Sequence, residues 1–407
     1  MENSIHFPQP VVASLYNGYA RSVFSEAMRL LVSGKYLSAE ERGILALVIE
    51  KGKLNPDFFR KSFIIYLSEG ILMGKDVERT SQIKRQLFFE LAVRLLMLGI
   101  EDQVAYGSSS PIFSIGLNAA VPSAFGAISR KGDEYVFLQG EEKACMLMRN
   151  GACAITPDID VLEQDSNPFN VNNDHPGEKF VSYDLGGIQK EKWVAQFRAA
   201  YALIKEKMPD IYEDIYYFLD AVVPHGCQAG RQLSSSYAKS PGILYLSYTD
   251  EDITQAEAVI HEVHHTIFNI ISWKYPLYGN DDSLKYYSAY RPDARHIRGC
   301  FLGLHAFVAV QSFYRRLAEA DDNQKGFVEK FLFFYLKNQR VIQVIEHHSK
   351  LTKEGELLFK DILMKYSQDM PFFTRVCKEH PSLSSKAEKD TEAHFEEAKK
   401  KNKVLLY

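Results

Sequence analysis

The sequence feature that most constrains this chain is Ala258-Val259-Ile260-His261-Glu262-Val263-His264-His265-Thr266, an HExxH sequence inside a helical pattern that runs from about Glu251 to Ser272. Residues four apart lie one above the other on a helix face, so His261 and His265 can offer two imidazole nitrogens to one metal ion. Thr249 followed by Asp252 resembles a capping box, and no Pro or Gly interrupts the stretch from Asp250 to Ser272. The motif is therefore expected in mid-helix, where its geometry is stiff. Val259, Ile260, Val263, Ile267 and Phe268 make the helix largely apolar, and three histidines with a glutamate are costly there unless something satisfies them. That context favours a metal site over a chance match.

Composition narrows the alternatives. With 407 residues, 46% hydrophobic and 13% aromatic, the chain can build a substantial core. A formal net charge of −4 gives no basic footprint, which argues against nucleic acid or an anionic membrane surface as partner. The cysteines, Cys145, Cys153, Cys227, Cys300 and Cys377, are odd in number and form no CxxC, so neither a disulfide framework nor a cysteine metal site is indicated. The N-terminus lacks a basic region followed by an apolar one, and no run of about 18 apolar residues occurs, so a soluble, cytoplasmic protein is expected.

Hydrophobic periodicity predicts a predominantly helical α+β chain in four parts: a helical N-terminal region over 1–105, a β-rich region with a long polar loop over 106–185, a helical catalytic core over 186–380, and a charged, peripheral C-terminal helix or tail over 381–407. About four helices are expected between Ala13 and Leu98, with starts at Ser38 and at Asn55-Pro56. Short β-forming runs follow at 113–117, 125–129, 135–139 and 143–148, with a hairpin turn at Lys131-Gly132-Asp133. The polar stretch from Asp165 to Lys179 reads as a loop. Helices are expected over 190–208 and 211–222, a buried strand over 243–247, and further helices over 299–317, 325–348 and 353–378.

A catalytic metal site usually takes three protein ligands and leaves positions open. The metzincin completion needs Gly and His where this chain has Phe268 and Ile271. A thermolysin-like site needs a downstream Glu, and none occurs between Glu262 and Glu319. A di-iron bundle needs a second Glu-x-x-His, which the downstream helices lack. Asp281, Asp282, Asp293, His296 and His305 remain. His305 stands alone in the apolar segment from Gly299 to Ala309. A lone histidine of that kind is more often a hydrogen-bonded core residue. Here Gly299, Gly303, Ala306 and Ala309 would let the HExxH helix approach closely, which favours His261, His265 and His305 as the metal set. Arg291, Arg295 and Arg298 follow Tyr286, Tyr287 and Tyr290, and are suited to gripping a carboxylate.

With these residues in hand, the stretch from Pro224 to Val310 resembles the α-ketoglutarate-dependent HExxH-type peptide β-hydroxylases, bacterial proteins that modify ribosomally made peptide natural products. The resemblance is carried by Pro224 and Ser234 to Ser236, by Gly242 to Ser247, by Ala258 to His265, by Tyr290 to Arg295, and by Gly303 to Phe307. Ala294 and His296 depart from it, standing where prolines would be expected. What the resemblance implies is a non-haem Fe(II) dioxygenase with His261, His265 and His305 on the metal. Three positions are then left for α-ketoglutarate and O₂. Arg291 or Arg295 would hold the distal carboxylate, and Glu262 would orient a ligand or water. Oxidative decarboxylation to succinate and CO₂ would accompany hydroxylation of a side-chain Cβ in a precursor peptide. Two other expectations compete with it: a Zn(II) hydrolase in which Glu262 is the general base, and a peptide-binding scaffold without catalysis.

Overall fold

The computed structural model of the chain describes residues 7–401 apart from 56, 57, 60, 75, 122–123, 150, 166–182, 227–232 and 321–324. All of the expected polar loop except Asp165, together with Pro56 and Cys227, lies outside the described residues. The architecture is predominantly helical α+β, with helices at both ends of the chain and strands between. Two compact units divide it, one made of residues 14–199 and 216–252, the other of 1–13, 200–215 and 253–407. The expected N-terminal helical and β-rich parts fall in the same unit.

The first of these begins with four helices, α1 (Gln9–Ser33), α2 (Ala39–Glu50), α3 (Ser62–Met73) and α4 (Val77–Met97). Ser38 and Glu41 form the capping box expected at the start of α2. Asn55 does not start a helix: it closes the 3-10 turn Gly52–Leu54. The next helix begins at Ser62, whose N–H donates to Asp220 Oδ2 at 2.6 Å, so a carboxylate distant in sequence does the work of a cap.

Strands follow: β1 (Gln103–Ser108), β2 (Ile112–Ser114), β3 (Ala119–Val121), β4 (Phe125–Lys131), β5 (Glu134–Gln139), β6 (Glu142–Met148) and β7 (Asp160–Val161). An antiparallel sheet in the order β1-β4-β5-β6 packs on α4, where Phe89 meets Tyr106, Phe125 and Phe137. The β4–β5 turn is the one expected, with Gly132 at φ 63°, a backbone region that favours glycine.

After α5 (Lys190–Lys207) and α6 (Pro209–Phe218), the helix expected to reach Val222 stops short, and Ala221–Pro224 is strand β8. Val222 and Val223 are β-branched and fully buried, with β7 and β10 (Ile243–Leu246) as parallel neighbours. A strand covered on both faces shows no alternation, which makes its run hard to tell from a helix. The edge of this sheet is β9 (Ser234–Ser236), antiparallel to β10.

The other unit contains α7 (Asp252–Lys274), α8 (Ile297–Ala320), α9 (Lys325–His348), α10 (Lys353–Gln368), α11 (Met370–Glu379) and α12 (Pro381–Lys401). The expected capping box before α7 does not form, since Thr249 Oγ1 accepts from Glu251 N at 3.2 Å and not from the first turn of the helix. The single helix expected over 353–378 is two, because Pro371 has no N–H to continue α10 and starts α11 instead. The C-terminal segment is a charged helix exposed along most of its length. Helix α12 packs on α9, placing Phe395 edge-on to the buried Tyr287, whose hydroxyl pairs with His394 Nδ1 at 2.9 Å. Among the described residues no helix is long and apolar enough to cross a membrane.

Candidate metal centre

Helix α7 carries the HExxH motif near its middle, and the four-residue spacing acts as expected: the His261 and His265 rings lie 4.3 Å apart, centroid to centroid. Glu262 is buried on the same helix. The Nδ1 atoms of His261 and His265 are both buried and have no hydrogen-bond partner. Buried ring nitrogens without partners are uncommon, and two on adjacent rings are compatible with a shared ligand.

His305, on α8, approaches the motif from another helix. Its Nδ1 lies 3.0 Å from the His264 carbonyl oxygen, and its ring is 5.4 Å from that of His264 and 5.8 Å from Phe268. A carbonyl only accepts, so Nδ1 bears the proton and Nε2 keeps the lone pair. That is the arrangement in which metal-binding histidines are usually held, one nitrogen tied to a backbone carbonyl and the other free. His264 is fixed in the same tautomer by Ile260 O at 2.8 Å.

Electrostatics keep all four rings neutral. Burial above all, then the neighbouring His264 and Arg291, bring His261 down to about 3. Burial and then Lys365 bring His264 down to about 4. Burial holds His265 well below the ordinary histidine range, reinforced by His261, His305, His264 and Arg298, and burial does the same for His305, reinforced by His264 and Lys365. Neutral imidazole is the form that ligates a metal, and a set of them suits iron or zinc over calcium or magnesium. In donor chemistry the residues fit such an ion. Among the described residues, however, no three His, Cys, Asp or Glu side chains are gathered as a ready-made metal cage. The structure brings His261 and His265 together and sets His305 beside their helix.

The other sequence candidates separate in space. Asp281 and Asp282 are exposed, and Asp281 Oδ1 caps Ser283 N at 2.8 Å. Asp293 and His296 are exposed as well, and Asp293 pairs with Arg295 Nε at 2.9 Å. Of the arginines, Arg291 acts on His261 and Arg298 on His265. Arg298 is also held by Asn269 Oδ1 at 2.6 Å. Arg295, bonded to Asp293 and to Tyr286 through its backbone, serves the loop.

The small residues of α8 do something other than expected. A Cβ on Gly303 would lie 3.0 and 3.1 Å from the Tyr290 ring, and one on Gly299 would lie 3.3 Å from the Arg295 side chain. These glycines receive the Tyr290–Arg295 loop, whereas α7 meets α8 through larger side chains, Phe268 against Phe301 and His261 against Phe307.

Sequence reasoning missed Phe307, whose ring lies 4.4 Å from His261 and 4.2 Å from Tyr290. It also missed Glu257, one turn before His261, which accepts from the Tyr314 hydroxyl. A third omission was Asn338, fully buried on α9. In sequence it sits in the polar run Lys337-Asn338-Gln339-Arg340, which gives no sign of its burial. Compared with known proteins, the sequence matches no family model and no curated protein. The resemblance to the peptide β-hydroxylases therefore rests on the residues between Pro224 and Val310.

Proposed function

We propose that this chain is a metal-dependent peptide-modifying enzyme, and specifically an Fe(II)- and α-ketoglutarate-dependent oxygenase that hydroxylates a side-chain Cβ of a ribosomally made precursor peptide. The observation that carries the metal is the pair of adjacent, neutral imidazoles on α7 with buried, unpartnered nitrogens. The residues that would hold it are His261, His265 and His305. The choice of oxygenase over hydrolase rests on the sequence resemblance, in particular the Tyr290–Arg295 and Gly303–Phe307 segments. When bound, iron with α-ketoglutarate and O₂ supplies the oxidising power for C–H hydroxylation.

The chain's own residues then have defined tasks. Arg291, an exposed residue of the loop that follows Tyr290, would receive the distal carboxylate of α-ketoglutarate as a charge-assisted, two-pronged pair. His264, tied to Ile260 O, offers its carbonyl to fix the His305 tautomer. Phe307 covers one side of His261 and limits water there. The second reading, zinc hydrolysis, is favoured by the buried Glu262, which would serve as general base. Purified protein loaded with Fe(II) or Zn(II) and given α-ketoglutarate separates them. Succinate formation with iron supports the oxygenase, peptide cleavage with zinc supports the hydrolase, and neither with either metal leaves the non-catalytic scaffold.

A further inference from the structure

Behind Phe307 and Tyr290 runs a chain of buried amides whose direction can be read atom by atom. Asn338 Nδ2 donates to Phe307 O at 3.1 Å and to Gln311 Oε1 at 2.9 Å. Gln311 Nε2 donates to Asp369 Oδ2 at 2.8 Å, and the same carboxylate accepts from Ser312 Oγ at 2.9 Å and Arg315 Nε at 2.6 Å. Asn338, Gln311 and Asp369 are all essentially inaccessible to solvent. The carbonyl of Phe307 and the carboxylate of Asp369 can only accept, so the amide orientations are forced by the network itself. Asn338 must turn its NH₂ to Phe307 and Gln311, which leaves Oδ1 facing Tyr290. The Tyr290 hydroxyl is then the donor of that bond. The bonds from Tyr290 to Asn338, Gln311 and Asp369 all run in one direction, an arrangement in which each bond polarises the next.

The near end of this chain touches the candidate centre. Tyr290 is clamped between Gly303, where even a methyl group would crowd its ring, and Phe307 at 4.2 Å. Phe307 in turn lies against His261 at 4.4 Å, and Tyr290 immediately precedes Arg291. We propose that Asn338 is a positioning residue: it holds Tyr290 and the Phe307 turn of α8 in one arrangement, and through them restrains the His261 ring and the root of the Arg291 loop. It touches neither metal nor substrate. The inference deepens the metal reading and rests on it for one of its two readouts only.

The first readout uses the metal-free, full-length protein and measures hydrogen–deuterium exchange at the imidazole C2 of His261 by mass spectrometry. One buried hydrogen bond is worth about tenfold in a local opening equilibrium, so Asn338→Leu should speed exchange at His261 by about that factor. Tyr290→Phe, which removes only the hydroxyl, should do the same and covers the case in which Asn338→Leu does not fold. The double variant should be no faster than either single one, since both break the same link. Val344→Ala, a cavity on the same helix at another fully buried position, controls for lost stability and should leave His261 exchange unchanged. The second readout is Co(II) titration, where Asn338→Leu and Tyr290→Phe should weaken binding roughly 10- to 100-fold, the usual effect of losing support behind a ligand. Unchanged His261 exchange in Tyr290→Phe, equal acceleration in Val344→Ala, or additive effects in the double variant would each overturn the proposal. Wild-type protein that takes up no Co(II) contradicts the metal reading, and the exchange data then decide the positioning role alone.

Discussion

Replacing His305 by Leu separates a metal ligand from a core histidine, because the two roles predict opposite patterns of loss. In the metal-free protein the substitution removes the bond from Nδ1 to the His264 carbonyl, a net contribution of about 0.5–1.5 kcal/mol. It also relieves the burial of an imidazole whose protonation is already suppressed by desolvation. The His264 carbonyl belongs to the interior of α7, so losing the imidazole does not strand it. Leu has a volume close to that of His, and such replacements usually cost less than about 1.5 kcal/mol. The terms largely cancel, and the melting temperature of metal-free protein should move by no more than about 4 °C. If His305 is the third ligand, Co(II) or Fe(II) affinity should nevertheless fall by more than about 100-fold, the upper end of what loss of mere ligand support produces. Calorimetric titration alongside thermal unfolding reads both quantities on one sample. A His305→Leu protein that melts as predicted yet binds metal within threefold of wild type refutes the assignment of His305 as a ligand.

His261→Ala and His265→Ala should each abolish metal uptake, as measured by metal analysis after dialysis. Glu262→Gln should keep its metal and form succinate at a measurable rate, whereas in a hydrolase the same change would cost on the order of 100-fold in turnover or more. Arg291→Leu should raise the apparent KM for α-ketoglutarate about fivefold with normal iron content, since Arg291 is exposed and a solvent-screened charge pair is worth at most about 1 kcal/mol. Arg295→Leu, whose guanidinium is already on Asp293, should have the smaller effect, and the reverse order in steady-state kinetics would relocate the cosubstrate. Metal-free protein should lose stability as pH falls below about 6.5, where unfolded histidines take up protons that buried His264 refuses until about 4. The sign follows from the unfolded state binding more protons in that window, so stability rises with pH. A midpoint in urea that is flat between pH 7 and 5 would contradict it.

How much of this was legible in the sequence differs from element to element. The α7 helix and its histidine pair followed from spacing alone, because helical periodicity is local and the motif has no breaker within it. The α2 cap at Ser38 and the β4–β5 hairpin were legible for the same reason. What sequence could not convey were features closed by distant partners. Asp220 takes the role of a cap for Ser62 from 158 residues away, and no local pattern announces it. Val222 and Val223 form a buried strand that periodicity cannot distinguish from helix. The glycines of α8 were read correctly as sites of close approach, but the partner proved to be Tyr290 and Arg295 and not the α7 backbone. In the site, the histidines were found because their chemistry is rare in an apolar helix. Asn338 stands among Lys337, Gln339 and Arg340, so nothing in the sequence marks it, and its importance appears only when its three bonds are traced.

The central claim, that α7 and α8 assemble a redox-active iron site driven by α-ketoglutarate, is tested most directly by anaerobic addition of Fe(II) and α-ketoglutarate to purified protein, followed by visible absorption spectroscopy and then by exposure to O₂ with quantification of succinate. Bidentate chelation of α-ketoglutarate to Fe(II) gives a weak metal-to-ligand charge-transfer band in the visible range, and the account predicts that band in wild type, its loss in His261→Ala and His265→Ala, and succinate formed in proportion to added protein. Protein that binds Zn(II) tightly, shows no such band with iron and releases no succinate would contradict it.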